Sequence, residues 1–86
     1  MEEKKNLINR LKRIEGQVRG LQKMVEEDRQ CSEVLTQLSA ITGALEKTAE
    51  QIVKQYTKGC ILEYEKTQNE KILDDLIANI SKLKNI

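Results

Sequence analysis

The sequence predicts an all-α fold built from a three-helix protomer. Apolar residues recur in steps of three and four along three segments, which is the periodicity of amphipathic helices. The 86-residue chain contains no proline, the residue that most often breaks a helix, and no Phe or Trp, so its core must be aliphatic. A core of this kind stabilises so short a chain only weakly, and we expect assembly with other copies. We expect one domain over residues 1–86, with helices at about 4–27, 31–62 and 68–84.

The first predicted helix, residues 4–27, carries a heptad seam and a concentration of positive charge. The seam consists of Leu7, Leu11, Ile14, Val18, Leu21 and Val25. Between Lys4 and Lys23 there are seven basic residues and a single acid, Glu15, although the whole chain has a net charge of only +1. Such segregation is compatible with a basic surface for nucleic acid and equally with an ordinary solvated helix face.

Two glycines, Gly16 and Gly20, lie four residues apart within this first helix. Each lowers helix stability by about 1 kcal/mol relative to alanine. A close approach by another helix or by a phosphate backbone would account for both, and the alternative is that they are tolerated surface glycines.

The polar segment from Glu26 to Gln30 predicts a turn between antiparallel helices, with Asp28 or Ser32 as the next N-cap. Either N-cap leaves Cys31 in the first turn of the second helix, where the positive end of the helix dipole stabilises a thiolate. Cys31 is therefore the candidate nucleophile, and Cys60, near the other end, is its candidate resolving partner. The alternative for either cysteine is an inert, small apolar residue.

The spacing of the two cysteines indicates a pairing between chains. Cys60 follows Cys31 by 29 residues, which in one helix separates them by about 43 Å. A disulfide requires Cα atoms within about 7 Å. A second copy of the helix, running antiparallel about a two-fold axis between Leu45 and Glu46, brings Cys31 of one chain beside Cys60 of the other. Gly43 lies close to that axis and would allow two backbones to approach.

Beyond Cys60 we expect a polar connection from Glu63 to Glu70 and then a short third helix. The apolar face of this helix consists of Ile72, Leu73, Leu76, Ile80 and Leu83. No window approaches the roughly 20 apolar residues of a membrane span, so we expect a cytoplasmic protein without a membrane partner. Two cysteines in that reducing compartment are more often reactive or metal-binding than structural.

Several kinds of chemistry are missing from the sequence. There is no histidine to act as a base beside a thiol, and there are no Gly-rich phosphate loops or paired CxxC motifs. We therefore expect a protein that is not an enzyme, has no cofactor and contains no complete metal site. No helix-turn-helix signature is present, so DNA would have to bind to the surface of the helices themselves.

The stretch RLKRIEGQVRGL at residues 10–21, followed by Cys31 and by LTQLSAI at residues 35–41, resembles the copper-sensing operon repressor (CsoR) family of bacterial transcriptional repressors. The resemblance covers nearly the whole chain. It implies an antiparallel four-helix bundle dimer, a dimer-of-dimers tetramer, and operator DNA bound by basic surfaces of the first two helices. Arg10 and Lys47 match basic positions that the family uses for DNA. With the neighbouring basic residues, the expected DNA-binding set is Arg10, Lys12, Arg13, Arg19 and Lys47.

Two departures from the family pattern bear on what is sensed. In copper-sensing members a histidine completes a Cys–His–Cys site, and its place, 25 residues after Cys31, is Tyr56 here. The tyrosine that precedes the first cysteine in those members is Gln30. A chain with both cysteines and no histidine is similar to the persulfide-responsive branch of the family, the CsoR-like sulfurtransferase repressors, which control sulfide-detoxification genes.

The resemblance thus implies a repressor that senses reactive sulfur species, persulfides or polysulfides, through Cys31 and the partner chain's cysteine at position 60. A di-, tri- or tetrasulfide link would release the operator, and each added sulfur lengthens the link by up to about 2 Å. Two alternatives stay open on the sequence alone. One is a Cu(I)-responsive repressor with a two-thiolate site, and the other is a helical scaffold without a DNA role.

Overall fold

The computed structural model describes residues 2–83 and consists of three α-helices over that range. They are α1 (Glu2–Glu26), α2 (Cys31–Thr67) and α3 (Glu70–Ser81). The prediction of a three-helix, all-α protomer is confirmed. The chain divides between Thr48 and Ala49 into two compact units, and the expectation of a single domain stays a prediction. The predicted end of the third helix, at residue 84, lies outside the described residues.

A left-handed residue, Asp28, ends the first helix. Its φ is 52°, the region that glycine adopts without a Cβ penalty. The Arg29 amide donates to the Met24 carbonyl at 3.0 Å, and the Asp28 amide donates to the Val25 carbonyl at 3.2 Å. This pair of bonds is the Schellman arrangement, with aspartate in the place where glycine is commonest. The turn expected between Glu26 and Gln30 is therefore confirmed.

The second helix begins at Cys31, and Gln30 is its N-cap residue. The Gln30 carbonyl accepts hydrogen bonds from the amides of Glu33 at 3.0 Å and Val34 at 3.1 Å. The expectation that Asp28 or Ser32 would be the N-cap is wrong. Asp28 is used to end α1, and Ser32 already lies inside α2. The expected placement of Cys31 in the first turn of the helix is confirmed.

Replacing Asp28 with glycine is expected to raise the free energy of unfolding by about 0.5–1 kcal/mol, because glycine adopts a positive φ without steric cost. Asp28→Ala is the matched control, since it removes the same charge but keeps a Cβ. Urea unfolding at one fixed protein concentration should rank the glycine variant above the wild type and the alanine variant below the glycine variant. Equal stability of the two variants would contradict a cost at this φ.

The second helix extends further than predicted. It ends at Thr67, whereas we expected an end near residue 62 and a polar connection over Glu63–Glu70. Residues 61–67 contain no glycine or proline, and the Glu and Lys side chains among them favour helix, so polarity alone does not stop it. The helix stops where Gln68 adopts a φ of 57° and its amide donates to the Tyr64 carbonyl at 2.7 Å.

The connection to the third helix is only two residues long, Gln68 and Asn69. Asn69 is the N-cap of α3, and its Oδ1 accepts a hydrogen bond from the Lys71 amide at 3.0 Å. Such a cap satisfies one of the free amides at the start of a helix. A single asparagine therefore fixes the start of α3.

The heptad seam of α1 is half buried and half exposed. Leu7 and Ile14 are buried, whereas Leu11, Val18 and Val25 are exposed. In the first unit, the buried residues of α2 are Ile41 and Thr48. Leu35, Leu38 and Leu45 of α2 are also exposed. Exposed apolar rows of this size mark an interaction surface, which agrees with the expected assembly of several chains.

A close approach by another helix was considered at Gly16, Gly20 and Gly43, and within the described residues only Gly20 has one. A Cβ added to Gly20 would lie 3.5 Å from Nε2 of Gln37, so α1 is approached there by a side chain of α2. A Cβ added to Gly16 or Gly43 would meet no atom of the described chain within 4 Å. The expected role of Gly43 between two copies stays a prediction.

The second unit has a thinner core than the first. Within residues 49–83 no side chain is fully buried, and the half-buried apolar residues of α3 are Ile72, Leu73 and Leu76. Tyr56, Ile61, Leu62, Ile77 and Ile80 are exposed. This unit, too, presents apolar surface to a partner. Over the described part of the chain, no helix has an apolar stretch that could cross a membrane.

Candidate functional sites

The first unit contains a cleft between α1 and the first half of α2, with a volume of about 260 Å³. We call it the basic cleft. It is lined by Arg10, Arg13, Ile14, Ala44, Lys47 and Thr48. Arg10 and Arg13 come from successive positions on one side of α1, and Lys47 comes from α2. The cleft therefore collects positive charge from two helices that are distant in sequence.

Two buried side chains support the floor of the basic cleft. Ile14 belongs to the heptad seam and is 7% exposed, and Thr48 is 2% exposed. The Thr48 hydroxyl donates to the Ala44 carbonyl at 2.8 Å, so this buried polar group is satisfied within its own helix. The Thr48 hydroxyl is therefore already hydrogen-bonded, and the polar groups available to a ligand are those of the cationic side chains.

The cations of the basic cleft are not neutralised by carboxylates. Among residues 2–83 the ion pairs within 4.0 Å are both formed by Arg29, with Glu27 at 3.7 Å and with Glu33 at 2.9 Å. Arg10, Arg13 and Lys47 are exposed. Guanidinium groups bind phosphate through paired hydrogen bonds, and an ammonium group adds a mobile point charge. The cleft is chemically suited to an anion such as a phosphate group.

The structure brings together three of the five residues expected to bind DNA. Lys12 and Arg19 are also exposed on α1, but they do not line the cleft. Ala44 and Thr48 line the cleft as well, and neither was predicted to belong to the site. Their spacing of four on α2 and their proximity to Lys47 could have suggested a shared face, but nothing in the sequence aligned that face with Arg10.

Cys31 is the first residue of α2 and is an exposed, free thiol. It follows the turn that holds Arg29, whose Nε donates to Glu33 Oε2 at 2.9 Å. This hydrogen bond and the charge of Glu33, with a smaller contribution from Glu27, raise the pKa of the Arg29 guanidinium. The Arg29–Glu33 pair spans Cys31 along the chain and was not identified from the sequence, although its i,i+4 spacing is the signal of such pairs.

Cys60 lies in the second unit and is a half-buried, free thiol. Tyr56 precedes it by one helical turn on α2 and is 65% exposed. Among residues 2–83 no three side chains of the His, Cys, Asp or Glu type lie close enough to hold a metal ion.

The comparisons with known proteins identify the family. Residues 3–82 match the family model described as "Metal-sensitive transcriptional repressor". The chain belongs to this family. Among its relatives is the copper-sensing transcriptional repressor CsoR of Bacillus subtilis (strain 168), which is 41% identical over 76 residues, or 87% of this chain and 75% of that protein.

Two other transcriptional repressors align with 60 and 76 residues of the chain. The copper-sensing transcriptional repressor RicR of Mycobacterium tuberculosis is 45% identical over 60 residues, covering 70% of this chain and 62% of that protein. The transcriptional repressor RcnR of Salmonella typhimurium is 32% identical over 76 residues, covering 87% of this chain and 84% of that protein.

Two solved structures of metal-responsive transcriptional regulators share the fold. The copper-sensing repressor CsoR with Cu(I) from Geobacillus thermodenitrificans NG80-2 has a TM-score of 0.85 and 38% identity, covering 99% of this chain and 90% of that one. The nickel-responsive transcriptional regulator InrS has a TM-score of 0.73 and 39% identity, covering 91% and 89%.

Membership in the metal-sensitive repressor family establishes the general function of the chain. The chain is a transcriptional repressor of the CsoR type, which implies operator DNA binding and oligomeric assembly. Its relatives are repressors and not enzymes, which fits the expectation that this chain is not an enzyme. The alternative of a helical scaffold without a DNA role is set aside.

Proposed function

We propose that this repressor senses reactive sulfur, and that Cys31 and the partner chain's cysteine at position 60 form the sensor. The observation that supports the proposal is the set of side chains on α2 that could bind a soft metal or react with sulfur. Both thiols lie on one continuous helix, α2, and the residue one turn before Cys60 is Tyr56 and not the histidine of the copper-sensing pattern. Sulfur atoms are therefore the only soft donors that α2 offers, and persulfides react with thiolates.

The first step is sulfur transfer to Cys31. The Cys31 thiolate attacks the outer sulfur of an organic persulfide, a new S–S bond forms, and the organic thiolate leaves. Cys31 becomes a persulfide, and the organic persulfide is reduced to a thiol. Cys31 suits this step because it is exposed and begins a helix, where the dipole favours an anion.

The second step joins two chains. The Cys60 thiolate of the partner attacks the inner sulfur of the Cys31 persulfide and expels hydrosulfide, which leaves a disulfide. If both cysteines first become persulfides, one attacks the other and expels one hydrosulfide, which leaves a trisulfide. One further sulfur on either cysteine gives a tetrasulfide by the same displacement. In every case, the two cysteines are oxidised and one sulfane sulfur is reduced to hydrosulfide.

We also propose that the basic cleft binds the operator backbone. Arg10, Arg13 and Lys47 would contact phosphate directly, and Lys12 and Arg19 would extend the positive surface along α1. Cross-linking α2 of one chain to α2 of another would favour a geometry in which the clefts of an assembly no longer match the DNA. A coupling of about 1.4–2.7 kcal/mol suffices to weaken operator binding tenfold to a hundredfold.

The experiment uses one sample for two measurements. Protein is treated with an organic persulfide, and operator affinity and intact mass are measured before and after treatment. We expect cross-linked dimers that carry additional sulfur and a parallel loss of operator binding. Full release of DNA without any sulfur adduct on Cys31 or Cys60 would contradict the proposal.

The second candidate is a Cu(I)-responsive repressor, and the copper-sensing relatives favour it. The residues present fit this metal only in part. Two thiolates suit linear Cu(I), but the trigonal site of the copper-sensing pattern lacks its nitrogen ligand at Tyr56. Cu(I) titration followed by X-ray absorption separates the two candidates. Copper-induced release with two sulfur ligands and no persulfide response would favour the copper sensor.

A further inference from the structure

One side chain ties α2 to α1 by a hydrogen bond in the described chain. Gln37 Nε2 donates to the main-chain carbonyl of Gln17 at 3.1 Å. All other side-chain hydrogen bonds among residues 2–83 join residues no more than four apart. This hydrogen bond is therefore the one directional side-chain contact between α1 and α2 in the described chain, and we call it the anchor.

This anchor lies next to the basic cleft. Gln17 follows Arg13 by one turn of α1, and Gln37 precedes Ala44 by two turns of α2. Residues at these spacings lie on the same side of a helix. The hydrogen bond therefore joins the two helix faces that continue directly into the cleft.

Apolar packing in this unit lacks the directionality of the hydrogen bond. Among its described residues, the buried aliphatic side chains are Leu7, Ile14 and Ile41. Small sliding movements of packed helices are a common form of conformational change. A slide of α1 along α2 would move Arg10 and Arg13 relative to Lys47, while the aliphatic side chains could keep contact.

The anchor is partly buried. Oε1 of Gln17 is buried and has no hydrogen-bond partner. Gly20 lies beside the Gln37 amide, and a Cβ added to Gly20 would lie 3.5 Å from Nε2, which is an ordinary contact distance. A partly buried hydrogen bond is stronger than one in bulk water, because the local dielectric constant is lower.

We propose that Gln37 is a positioning residue for DNA binding, because it fixes the distance between the arginines of α1 and Lys47 of α2. The inference rests on the proposed function of the basic cleft. Gln37 itself contacts no DNA in this proposal. It acts by holding the cations where successive phosphates can reach them together.

The test compares Gln37→Met, which keeps length and loses the donor, with Gln22→Met on the exposed side of α1. Operator affinity is measured at several salt concentrations, well below the unfolding temperature of each variant. We expect Gln37→Met to weaken binding about fivefold and to lower the salt slope by about one, because fewer cations reach phosphate simultaneously. Gln22→Met should match the wild type.

A merely structural role for Gln37 would give a different result. Loss of folded protein lowers apparent affinity but leaves the salt slope unchanged, and that outcome would overturn the proposal. An affinity for Gln37→Met equal to that of Gln22→Met would overturn it as well. Arg10→Ala is measured in parallel. If Arg10→Ala retains full affinity, the proposed function of the cleft fails too, whereas a loss confined to Arg10→Ala refutes the role of Gln37 alone.

A second pair of variants tests the same hydrogen bond from α1. A leucine at position 20 points back toward residue 17 and displaces the Gln37 amide, whereas an alanine only touches it at ordinary contact distance. Gly20→Leu should therefore reproduce the loss of affinity and of salt slope, and Gly20→Ala should not. Equal behaviour of these two variants would contradict the proposal even if Gln37→Met does not fold.

Discussion

Replacing Cys31 with serine is expected to abolish persulfide-induced release of operator DNA. A serine hydroxyl at the start of α2 is not ionised at neutral pH and does not accept sulfane sulfur. The wild type should lose operator affinity tenfold to a hundredfold after treatment, and the variant should lose none. Untreated, the variant should bind the operator like the wild type, because Cys31 does not line the basic cleft.

Cys60→Ser is the matched variant that separates the two thiol roles. It should still take up sulfur on Cys31, visible as a mass increase on the monomer, but it should form no cross-link to another chain. If the cross-link causes release, this variant stays on DNA despite its persulfide. Complete release from the Cys60 variant would assign the switch to modification of Cys31 alone, and an unmodified Cys31 would contradict its role as nucleophile.

Lys47→Ala and Arg10→Ala are each expected to weaken operator binding about tenfold, or about 1.4 kcal/mol. Each substitution removes a cation that no carboxylate within 4.0 Å neutralises in the described chain. Because every protomer of an assembly carries the change, the slope of log affinity against log salt should fall by about one for each protomer that touches DNA. Fluorescence anisotropy over a salt series measures both quantities.

Lys58→Ala is the charge-matched control for Lys47→Ala, since Lys58 is also exposed on α2 and does not line the basic cleft. It should change affinity by less than twofold and leave the salt slope unchanged. Equal losses from Lys47→Ala and Lys58→Ala would indicate a diffuse electrostatic attraction, and the specific role of the cleft would then be wrong.

Periodicity alone predicted most of the helical architecture. The steps of three and four from Leu7 to Val25 predicted α1, and the polar turn before Cys31 placed this thiol in the first turn of α2. These features are local, because a helix and its end are determined by residues within one or two turns. The end of α2 was predicted less well, since a polar segment without glycine or proline continues a helix as readily as it ends one.

The contents of the basic cleft were only partly predictable. Charge pointed to Arg10 and Arg13, but it pointed equally to Lys12 and Arg19, which lie outside the cleft, and Lys47 was indicated only by the family resemblance. The choice depends on the register between α1 and α2, which Gln37 and the turn length determine together. No local pattern in either helix encodes a register between two helices, so the sequence could not separate these basic residues.

The exposed half of the α1 seam links the folding of this repressor to its abundance. Leu11, Val18 and Val25 remain exposed on a single chain, so part of the apolar surface is buried only when chains associate. By mass action, dilution then lowers the stability of each chain along with the population of the assembled form. A cell that makes few copies would hold some of them dissociated, and the threshold for derepression would depend on the rate of synthesis of the repressor as well as on its inducer.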